Sequence, residues 1–283
     1  MAHSRQPRAG DRRRTLSQNF LTDPSLARRI VRIAGVGPDD RVVEVGAGEG
    51  ILTRALASAC RAVTAYELDP RLAAALAARR IPGVRVVHQD FLRSAPPGGA
   101  FSVVGNIPYA ITSPIVGWCL NACGLTSATL LTQWEYARKR TGGNGRWSRL
   151  TVQTWPLFSW RLAGRIPRDR FDPIPRVDAG VLLLRHRQRP LLPPGTLGDY
   201  RRLVELGFTG VGGSLRASLR RGHPPQRVDA ALAAAGVDRA AVVAFVSPDQ
   251  WIRIFTHLHG LRGVTAAQEH EAEQQAARRR RSR

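Results

Sequence analysis

Four consecutive residues, Asn106-Ile107-Pro108-Tyr109, form the most specific chemical pattern in the chain. The Asn106 side-chain oxygen and the Pro108 backbone carbonyl are acceptors that could bind both hydrogens of an exocyclic amine. Two such hydrogen bonds would localise the lone pair of an adenine N6 nitrogen, otherwise delocalised into the ring, toward a sulfonium methyl group. The ring of Tyr109 could stack on a flipped-out base. The alternative is a proline-containing turn that only precedes a helix.

A glycine-rich turn comes earlier in the chain, in the sequence Glu44-Val45-Gly46-Ala47-Gly48-Glu49-Gly50. Glycine lets the backbone turn tightly and approach a ligand closely, so Gly46 and Gly48 are candidate cofactor-binding residues. The spacing is G-x-G-x-G, whereas a dinucleotide fingerprint would place its third glycine where this chain has Ile51. A turn of this kind alone could equally join a strand to a helix without binding a ligand.

Two acidic residues follow at the ends of the next two predicted strands. Glu67 comes about 20 residues after Gly46, the separation at which a carboxylate binds ribose hydroxyls in nucleotide-binding folds. Asp90 ends the following strand, and the carboxyl ends of successive strands open onto one crevice. We therefore expect Glu67 and Asp90 to face the ribose and the adenine of one nucleoside, although each alone could simply cap a helix. No P-loop lysine occurs near the turn, so a nucleotide phosphate is not the expected ligand.

The elements that must position these residues alternate between strands and helices. Valine-rich segments predict buried strands, and the pairs Asp23-Pro24, Asp69-Pro70 and Ser113-Pro114 predict helix starts. A further helix is predicted from Ile51 to about Ser58. The predicted strands cover residues 42–45, 62–66, 84–87, 101–104, 129–131 and 181–184. This alternation predicts an α/β protein with right-handed βαβ units and a parallel sheet.

The composition divides the chain into four segments. Residues 1–15 and 265–283 are polar and rich in arginine, and they are predicted to be flexible basic tails. Residues 16–188 carry the alternating elements and are predicted to form the catalytic domain. Strand patterns stop after a segment rich in proline and glycine, so residues 189–264 are predicted to form a smaller, all-helical RNA-binding domain. Its predicted helices cover residues 199–208, 226–235 and 247–258, the last with a Ser247–Gln250 capping box.

The charge of the chain indicates the class of its partner. The 283 residues carry a formal net charge of +22, with a pI near 11.7, which predicts a polyanion such as a nucleic acid. No signal peptide and no apolar run of about 20 residues is evident, so we expect a cytoplasmic protein with no membrane partner. The 3 cysteines include no CxxC pair, which argues against a disulfide framework and against a metal site.

Two further motifs extend these patterns. They are Ser17-Gln18-Asn19-Phe20-Leu21 and Phe171-Asp172-Pro173-Ile174-Pro175-Arg176-Val177. Together with the G-x-G-x-G turn, Glu67, Gln89-Asp90-Phe91 and Asn106-Ile107-Pro108-Tyr109, they make the chain similar to the Erm family from about Leu16 to Leu261. Erm enzymes are 23S rRNA adenine N6-methyltransferases that give macrolide–lincosamide–streptogramin B resistance.

This resemblance implies a class I, Rossmann-like methyltransferase sheet of seven strands with a smaller C-terminal all-helical domain. It implies S-adenosylmethionine as cofactor, protein-free or precursor 23S rRNA as substrate, and transfer of one or two methyl groups; we expect a monomer. Phe171 is expected to sandwich the target base opposite Tyr109, so that the expected catalytic residues are Asn106, Pro108, Tyr109 and Phe171. The expected cofactor-binding residues are Asn19, Leu21, Gly46, Gly48, Glu67, Asp90 and Asn106.

The sister family, the 16S rRNA adenine N6-dimethyltransferases of the small subunit, shares these motifs and is the main alternative. Ile107, Thr112-Ser113, the segment from Glu135 to Arg140 and the basic loop Arg146-Trp147 are more similar to Erm. Arg138, Lys139, Arg140 and Arg146, which lie in the basic stretch 138–146, are therefore the candidate RNA-binding residues. Asp178 departs from the serine usual in both families.

Two further alternatives are a non-catalytic RNA-binding or transcription-factor relative and a DNA adenine enzyme. The intact Asn106-Ile107-Pro108-Tyr109 loop argues against a non-catalytic relative. A DNA adenine enzyme would generally have the sequence D-P-P-Y in this loop, which this chain does not have.

Overall fold

The structure, a computed structural model, describes residues 19–261. The two predicted basic tails, and the first residues of the Ser17–Leu21 motif, lie outside the described residues. The chain forms two compact units. Within the described residues, the catalytic unit contains residues 19–138 together with Trp160–His186, and the helical unit contains Lys139–Ser159 together with residues 187–261.

This division differs from the predicted linear boundaries in one respect. The second segment of the helical unit begins at Arg187, close to the predicted boundary at residue 189, but Lys139–Ser159 also belongs to that unit. The sequence of the catalytic unit is therefore interrupted, and three of the four candidate RNA-binding residues (Lys139, Arg140 and Arg146) lie in the helical unit. The boundaries drawn from composition missed this insertion, although Lys139–Ser159 contains the glycine-rich run Gly142-Gly143-Asn144-Gly145.

Nine strands occur in residues 19–261. In chain order they are β1 (Phe20–Leu21), β2 (Arg41–Val45), β3 (Ala62–Glu67), β4 (Val84–His88), β5 (Phe101–Asn106), β6 (Leu125–Gln133), β7 (Phe158–Ile166), β8 (Phe171–Asp172) and β9 (Ala179–His186). Seven of them form one sheet in the order β4-β3-β2-β5-β6-β9-β7. The first five strands in this order are parallel, and β9 is antiparallel to β6. The predicted seven-stranded class I methyltransferase sheet is confirmed.

The order of the strands reverses beside β2, since β3 lies on one side of it and β5 on the other. In open α/β sheets the crevice outside the carboxyl ends of the strands at such a switch point binds ligands. Val45 pairs with Gly105 in the register of β2 and β5. Gly46, which follows β2, and Asn106, the last residue of β5, are therefore brought to the same edge of the sheet.

Helix α1 (Pro24–Ala34) precedes β2, and three helices connect parallel strands: α2 (Ile51–Ala57), α3 (Pro70–Ala78) and α4 (Thr112–Asn121). The Asp23 and Asp69 side chains cap α1 and α3 by accepting backbone N–H groups, and proline occupies the first position of each helix. Both predicted starts are therefore confirmed, whereas α4 begins at Thr112, one residue before the predicted Ser113. The core packs apolar residues of α1 and α2, such as Ile30 and Leu56, against the sheet.

A second, two-stranded sheet connects distant parts of the catalytic unit. β1 pairs antiparallel with β8, so that Phe20 lies opposite Asp172 and Leu21 lies opposite Phe171. The sequence patterns predicted neither this ladder nor β7, because β1 and β8 have two residues each and because Arg161, Gly164 and Arg165 interrupt the apolar pattern of β7. The ladder joins the Asn19–Leu21 segment to the Phe171–Val177 segment.

A helix at the boundary between the units, α5 (Trp134–Arg140), is followed by five helices of the helical unit: α6 (Arg149–Thr154), α7 (Leu197–Gly207), α8 (Leu215–Leu219), α9 (Pro225–Ala234) and α10 (Pro248–Leu258). The core of the helical unit contains Tyr200, Trp251 and Phe255. The Tyr200 hydroxyl donates to the Val152 carbonyl at 3.0 Å, which ties α7 to α6. The predicted Ser247–Gln250 capping box is confirmed. No helix within residues 19–261 is long and apolar enough to cross a membrane.

Candidate active site

A cavity of about 260 Å³ lies at the carboxyl ends of β2, β3, β4 and β5. This volume is close to the lower end of the ~300–1,000 Å³ range of small-molecule sites. Its walls combine apolar side chains with a few convergent polar groups. Among the residues that line it are Asn19, Phe20, Gly46, Gly48, Glu67, Asp90, Asn106, Pro108 and Tyr109. The structure thus brings together eight of the ten predicted catalytic and cofactor-binding residues; Leu21 and Phe171 do not line this cavity.

The glycine turn brings its backbone to the cavity wall. Gly46 and Gly48 have φ angles of 71° and 53°, a left-handed conformation that other residues rarely adopt. The Phe20 ring packs on Gly48 so closely that a Cβ atom there would come within 2.8 Å of the ring. Phe20 is therefore a site residue that the sequence analysis did not single out, although it lies inside the Ser17–Leu21 motif. A glycine at position 48 therefore permits both the left-handed backbone turn and the close packing of the Phe20 ring.

The Glu67 carboxylate is buried, with 2% of the residue exposed, and lines the cavity. Its Oε2 accepts the Gly48 N–H at 2.7 Å and its Oε1 accepts the Asp69 N–H at 2.9 Å. Each carboxylate oxygen has more than one lone-pair direction, so these bonds leave acceptor capacity toward the cavity. Glu67 therefore fixes the glycine turn as well as lining the site.

Asp90 combines the two roles that the sequence left open. Its Oδ1 accepts the Leu92 N–H at 3.0 Å, so it caps the short helical turn Phe91–Arg93. Asp90 also lines the cavity, and its Oδ2 makes no hydrogen bond with another described residue. One oxygen is thus occupied by the backbone, and the other is available to a ligand.

The Asn106 side chain has a defined orientation. Its Nδ2 donates to the Asn19 backbone carbonyl at 2.6 Å. Because that carbonyl can only accept, the amide cannot be flipped, and Oδ1 must lie on the opposite side. Oδ1 accepts no hydrogen bond from the described residues, and Asn106 lines the cavity. The N-terminal segment therefore holds an oriented, unoccupied acceptor at the carboxyl end of β5.

Pro108 and Tyr109 follow directly along the wall. The Pro108 carbonyl accepts the Ile111 N–H at 3.2 Å, which leaves one of its two lone pairs for a ligand. The Tyr109 hydroxyl is buried without a hydrogen-bond partner among the described residues. Burial, and to a smaller extent the Asp178 carboxylate, raise the pKa of Tyr109 to about 12. The hydroxyl is therefore neutral at physiological pH, and the ring offers mainly a stacking surface.

Two expected site residues lie elsewhere. Phe171 belongs to the core, with 2% of its surface exposed, and its backbone pairs with Leu21 in the β1–β8 ladder. Phe171 does not line the cavity, and the expectation that it faces Tyr109 across the target base stays a prediction. Leu21 is also buried and lines only a small cavity of about 20 Å³ beside the glycine turn. Both residues support the Asn19–Phe20 wall.

Asp178, for which the sequence offered no explanation, anchors the segment after β8. Its Oδ2 binds the Arg165 guanidinium at 2.6 Å, and its Oδ1 accepts the Arg168 N–H at 3.0 Å. The Arg168 N–H and then the Arg165 side chain lower the pKa of Asp178. The residue thus ties the segment to the end of β7 and places a negative charge near Tyr109. Its departure from the family serine was the signal that could have drawn attention to it.

Glu44 is the one buried carboxyl group in the described residues that lies next to the site without lining it. It is fully buried on β2, and neither of its oxygens has a hydrogen-bond partner. Burial raises the pKa of Glu44 to about 8; the Thr53 hydroxyl acts in the opposite direction, and the Glu67 carboxylate adds to the rise. The Glu44 carboxyl group is therefore largely protonated at neutral pH. An ionic contact with a ligand is not its role.

Of the four candidate RNA-binding residues, two are partly buried and bind other side chains, and two are exposed. Arg138 is partly buried and pairs with Glu135 at 3.2 Å. Arg140 is also partly buried and donates to the Ser148 hydroxyl at 3.0 Å, so it stabilises the helical unit. Lys139 and Arg146 are exposed. The structure therefore favours Lys139 and Arg146 as phosphate contacts over Arg140.

The sheet order, with a cavity at the switch point between β2 and β5, is that of a class I methyltransferase. Within residues 19–261, no cluster of three or more potential metal ligands is present. The family model for ribosomal RNA adenine dimethylases matches residues 10–259. The chain belongs to this family, and it is an rRNA adenine N6-methyltransferase.

Three similar proteins indicate which kind of rRNA methyltransferase this chain resembles. An rRNA adenine N-6-methyltransferase of Streptomyces fradiae is 53% identical over 258 residues, covering 90% of this chain and 81% of that protein. The mycinamicin-resistance protein MyrB of Micromonospora griseorubida is 40% identical over 86% of this chain and 78% of its own. The crystal structure of the 23S rRNA methyltransferase ErmE has a TM-score of 0.83 at 52% identity, covering 85% of this chain and all (100%) of that chain.

Two further proteins are less similar to this chain than the Streptomyces fradiae enzyme and ErmE are. Ribosomal RNA small subunit methyltransferase A of Thermobifida fusca is 39% identical, covering 80% of this chain and 83% of that protein. A dimethyladenosine transferase from Plasmodium falciparum shares the fold, with a TM-score of 0.69 at 19% identity. These comparisons support the Erm-type interpretation over the small-subunit alternative.

Proposed function

We propose that the chain transfers one or two methyl groups from S-adenosylmethionine to the N6 nitrogen of one adenine in 23S rRNA. The observation that carries this proposal is the Asn106 amide, whose donor is held by Asn19 and whose acceptor is free beside Tyr109. The similarity to ErmE and to MyrB, one named for 23S rRNA and the other for mycinamicin resistance, supports both the substrate and a role in macrolide–lincosamide–streptogramin B resistance.

The cavity residues fit the proposed cofactor. Asp90 offers a free carboxylate oxygen, Glu67 retains acceptor capacity for hydroxyl groups, and the glycine turn lets the backbone come close. When bound, S-adenosylmethionine supplies an electrophilic methyl group on a sulfonium sulfur. Asp90, Glu67, Gly46 and Gly48 would hold the nucleoside end, and Asn19 and Phe20 would cover it.

The catalytic loop would act by placing acceptors on the amine. The free Asn106 Oδ1 and the remaining lone pair of the Pro108 carbonyl would accept the two N6 hydrogens and turn the nitrogen lone pair toward the methyl donor. The Tyr109 ring would stack on the flipped-out adenine. No general base is needed, because methyl transfer leaves a positive charge on N6, and this cation is a strong acid that releases a proton to water.

We propose that the substrate is protein-free or precursor 23S rRNA, bound by a monomer in the cytoplasm. Exposed Lys139 and Arg146, together with other basic residues of the helical unit, would bind its phosphates. Flipping a base out of a loop costs less than flipping it out of a duplex, so the target adenine should lie in unpaired RNA.

The small-subunit 16S rRNA is the second candidate substrate, because a small-subunit methyltransferase is 39% identical to this chain. Both candidates are tested by expressing the chain and its Asn106→Ala variant in a macrolide-sensitive bacterium. Primer extension and mass spectrometry of the rRNA should locate N6-methyladenine in 23S rRNA, together with resistance that the variant lacks. Methylation of 16S rRNA without a change in drug sensitivity would replace the proposal with the second candidate.

A further inference from the structure

The helical unit exposes one aromatic side chain to an unusual degree. Within residues 19–261, six large hydrophobic residues are exposed, and Phe245 is the aromatic one among them, at 51%. It ends the short helical turn Val243–Phe245, and its neighbour Val242 is exposed by 48%. An exposed apolar patch on a soluble domain commonly marks a binding surface.

An arginine covers the Phe245 ring. The guanidinium carbon of Arg146 lies 5.3 Å from the ring centroid, within the range of a cation–π contact. Arg146 is exposed, and its guanidinium donates no hydrogen bond to another described residue. The Trp147 N–H donates to the Ala244 carbonyl at 2.7 Å, so the backbone holds the Arg146 loop against the Phe245 turn. The two planar groups are thus fixed beside each other while both remain accessible.

A second arginine–aromatic pair in the same unit shows what a purely structural contact is like. The Arg187 guanidinium lies 5.2 Å from the Trp155 ring, and its Nε donates to the Trp155 carbonyl at 3.0 Å. The Trp155 indole N–H donates to Asp249 at 2.8 Å. This pair has hydrogen bonds that fix both partners, whereas at Phe245 the Arg146 guanidinium donates no hydrogen bond to another described residue and 51% of Phe245 is exposed.

We infer that Phe245 and Arg146 form a stacking site for one unpaired base of the RNA substrate, outside the catalytic cavity. An aromatic face and a guanidinium plane both stack on nucleobases, and the arginine also attracts the adjacent phosphate. A duplex hides its base faces, so the site selects single-stranded or looped RNA. The inference rests on the proposed function only in requiring that the substrate is RNA, and not on which rRNA is methylated.

The test measures equilibrium binding of the full chain by fluorescence anisotropy at one fixed salt concentration. The probes are a labelled single-stranded RNA of about 12 nucleotides and the corresponding duplex, neither containing rRNA sequence. Phe245→Ala should weaken single-strand binding about tenfold or more, and duplex binding by less than about twofold. Phe245→Trp should retain single-strand binding, and Arg146→Lys should weaken it although the charge is kept.

Val211→Ala is the matched control, because it removes an exposed apolar side chain of the same unit (39%) that has no ring and is not part of the Phe245 patch; it should bind both probes as the wild type does. Thermal unfolding checks each variant, and ultraviolet cross-linking of wild-type chain to the single strand, mapped by mass spectrometry, should yield an adduct at Phe245. Equal losses for both probes, or no loss with cross-links elsewhere, would overturn the stacking site. Since the probes lack the target adenine, this outcome is independent of where methylation occurs in rRNA.

Discussion

The cavity wall and the basic stretch 138–146 hold their polar side chains in different ways. In the cavity, Glu67, Asp90 and Asn106 each bind backbone groups: the N–H groups of Gly48, Asp69 and Leu92 and the carbonyl of Asn19. In the basic stretch, Arg138 and Arg140 bind other side chains, and Lys139 and Arg146 extend into solvent.

This difference matches the proposed tasks of the two regions, which are to place acceptors on one nitrogen atom and to bind RNA phosphates. A backbone partner fixes a side chain within a rigid scaffold, which is what an acceptor aimed at one nitrogen atom requires. Long solvated cations adapt to a phosphate backbone whose position varies, and their contribution falls as salt rises. Substitutions in the cavity should therefore act on turnover or cofactor affinity, and substitutions in the basic stretch should act on RNA affinity.

The largest effect is expected for Asn106→Ala. Losing an acceptor that acts as charge develops on N6 should lower kcat by at least ~100-fold while cofactor and RNA affinities change little. Methyl transfer from labelled cofactor to protein-free 23S rRNA measures this. Asn121→Ala is the control, since the exposed Asn121 amide also donates to a backbone carbonyl, that of Gly117. Equal turnover in both variants would remove Asn106 from the chemistry.

Asp90→Ala should have the next largest effect. Removing an acceptor that leaves a buried ligand group unpaired should weaken S-adenosylmethionine binding by ~1–3 kcal/mol, as measured by calorimetry. The control is Asp69→Ala, because Asp69 caps α3 through Arg71 and Leu72 but does not line the cavity. That variant should lose stability and keep its cofactor affinity. If both variants bound the cofactor as the wild type does, Asp90 would be a cap only.

The pair Tyr109→Ala and Tyr109→Phe separates the ring from its hydroxyl. Tyr109→Ala should lose most activity with the stacking surface, worth ~1–3 kcal/mol, whereas Tyr109→Phe should stay active because the hydroxyl has no partner. The pKa of about 12 means that the hydroxyl stays protonated between pH 8 and pH 10. The wild-type and Tyr109→Phe pH–rate profiles should therefore coincide in that range. An inactive Tyr109→Phe enzyme would give the hydroxyl a polar role.

Lys139→Glu should produce a moderate loss of RNA affinity with unchanged cofactor affinity. Removing one phosphate contact should lower the slope of log K against log salt by ~0.7–0.9. Arg140→Ala should instead lower the thermal stability, by ~1 kcal/mol or more, because Arg140 donates to Ser148. If the two variants had the same effect on the salt slope, the distinction between exposed and internal cations would not hold.

The smallest effect on turnover is expected for Glu44→Gln. The raised pKa of about 8 means that the folded state disfavours the charged carboxylate, so the wild type loses stability as pH rises from about 4.5 to about 8. Glutamine keeps the shape and removes the ionisation, so the variant should lack this pH dependence. Thermal unfolding across pH 4 to 9 measures it, and a variant with an unchanged profile would show that Glu44 is not the buried acid responsible.

Much of the parallel sheet could be predicted from the sequence, because buried strands have continuous apolar runs and Asp-Pro pairs mark helix starts. Residues at the ends of these strands, such as Gly46, Glu67 and Asp90, could therefore be assigned to one crevice. The Asn106 loop was recognised from its chemistry. What could not be predicted depends on contacts between distant segments: the packing of Phe20 on Gly48, the Asn19–Asn106 hydrogen bond and the burial of Phe171.

The exposure of the side chains in the basic stretch could not be predicted from the sequence either. Lys139 and Arg140 are neighbours with the same charge, but one faces solvent and the other binds Ser148. A helix places adjacent residues on different faces, and which face is covered depends on the rest of the fold. Asp178 is a different case, because the sequence singled it out but could not explain it. In the structure it binds the Arg165 guanidinium and accepts the Arg168 N–H.

The ladder between β1 and β8 has a consequence for how each molecule is made. Thr22 bonds to Arg170 across a separation of 148 residues, and Leu21 pairs with Phe171. A growing chain therefore contains the glycine turn, Glu67 and Asn106 long before it contains the partner strand that holds Asn19 in place. We therefore expect the Asn19 segment, and with it the orientation of the Asn106 amide, to be fixed only after β8 has emerged during translation. The cavity is thus completed late in synthesis, only when nearly the whole catalytic unit exists.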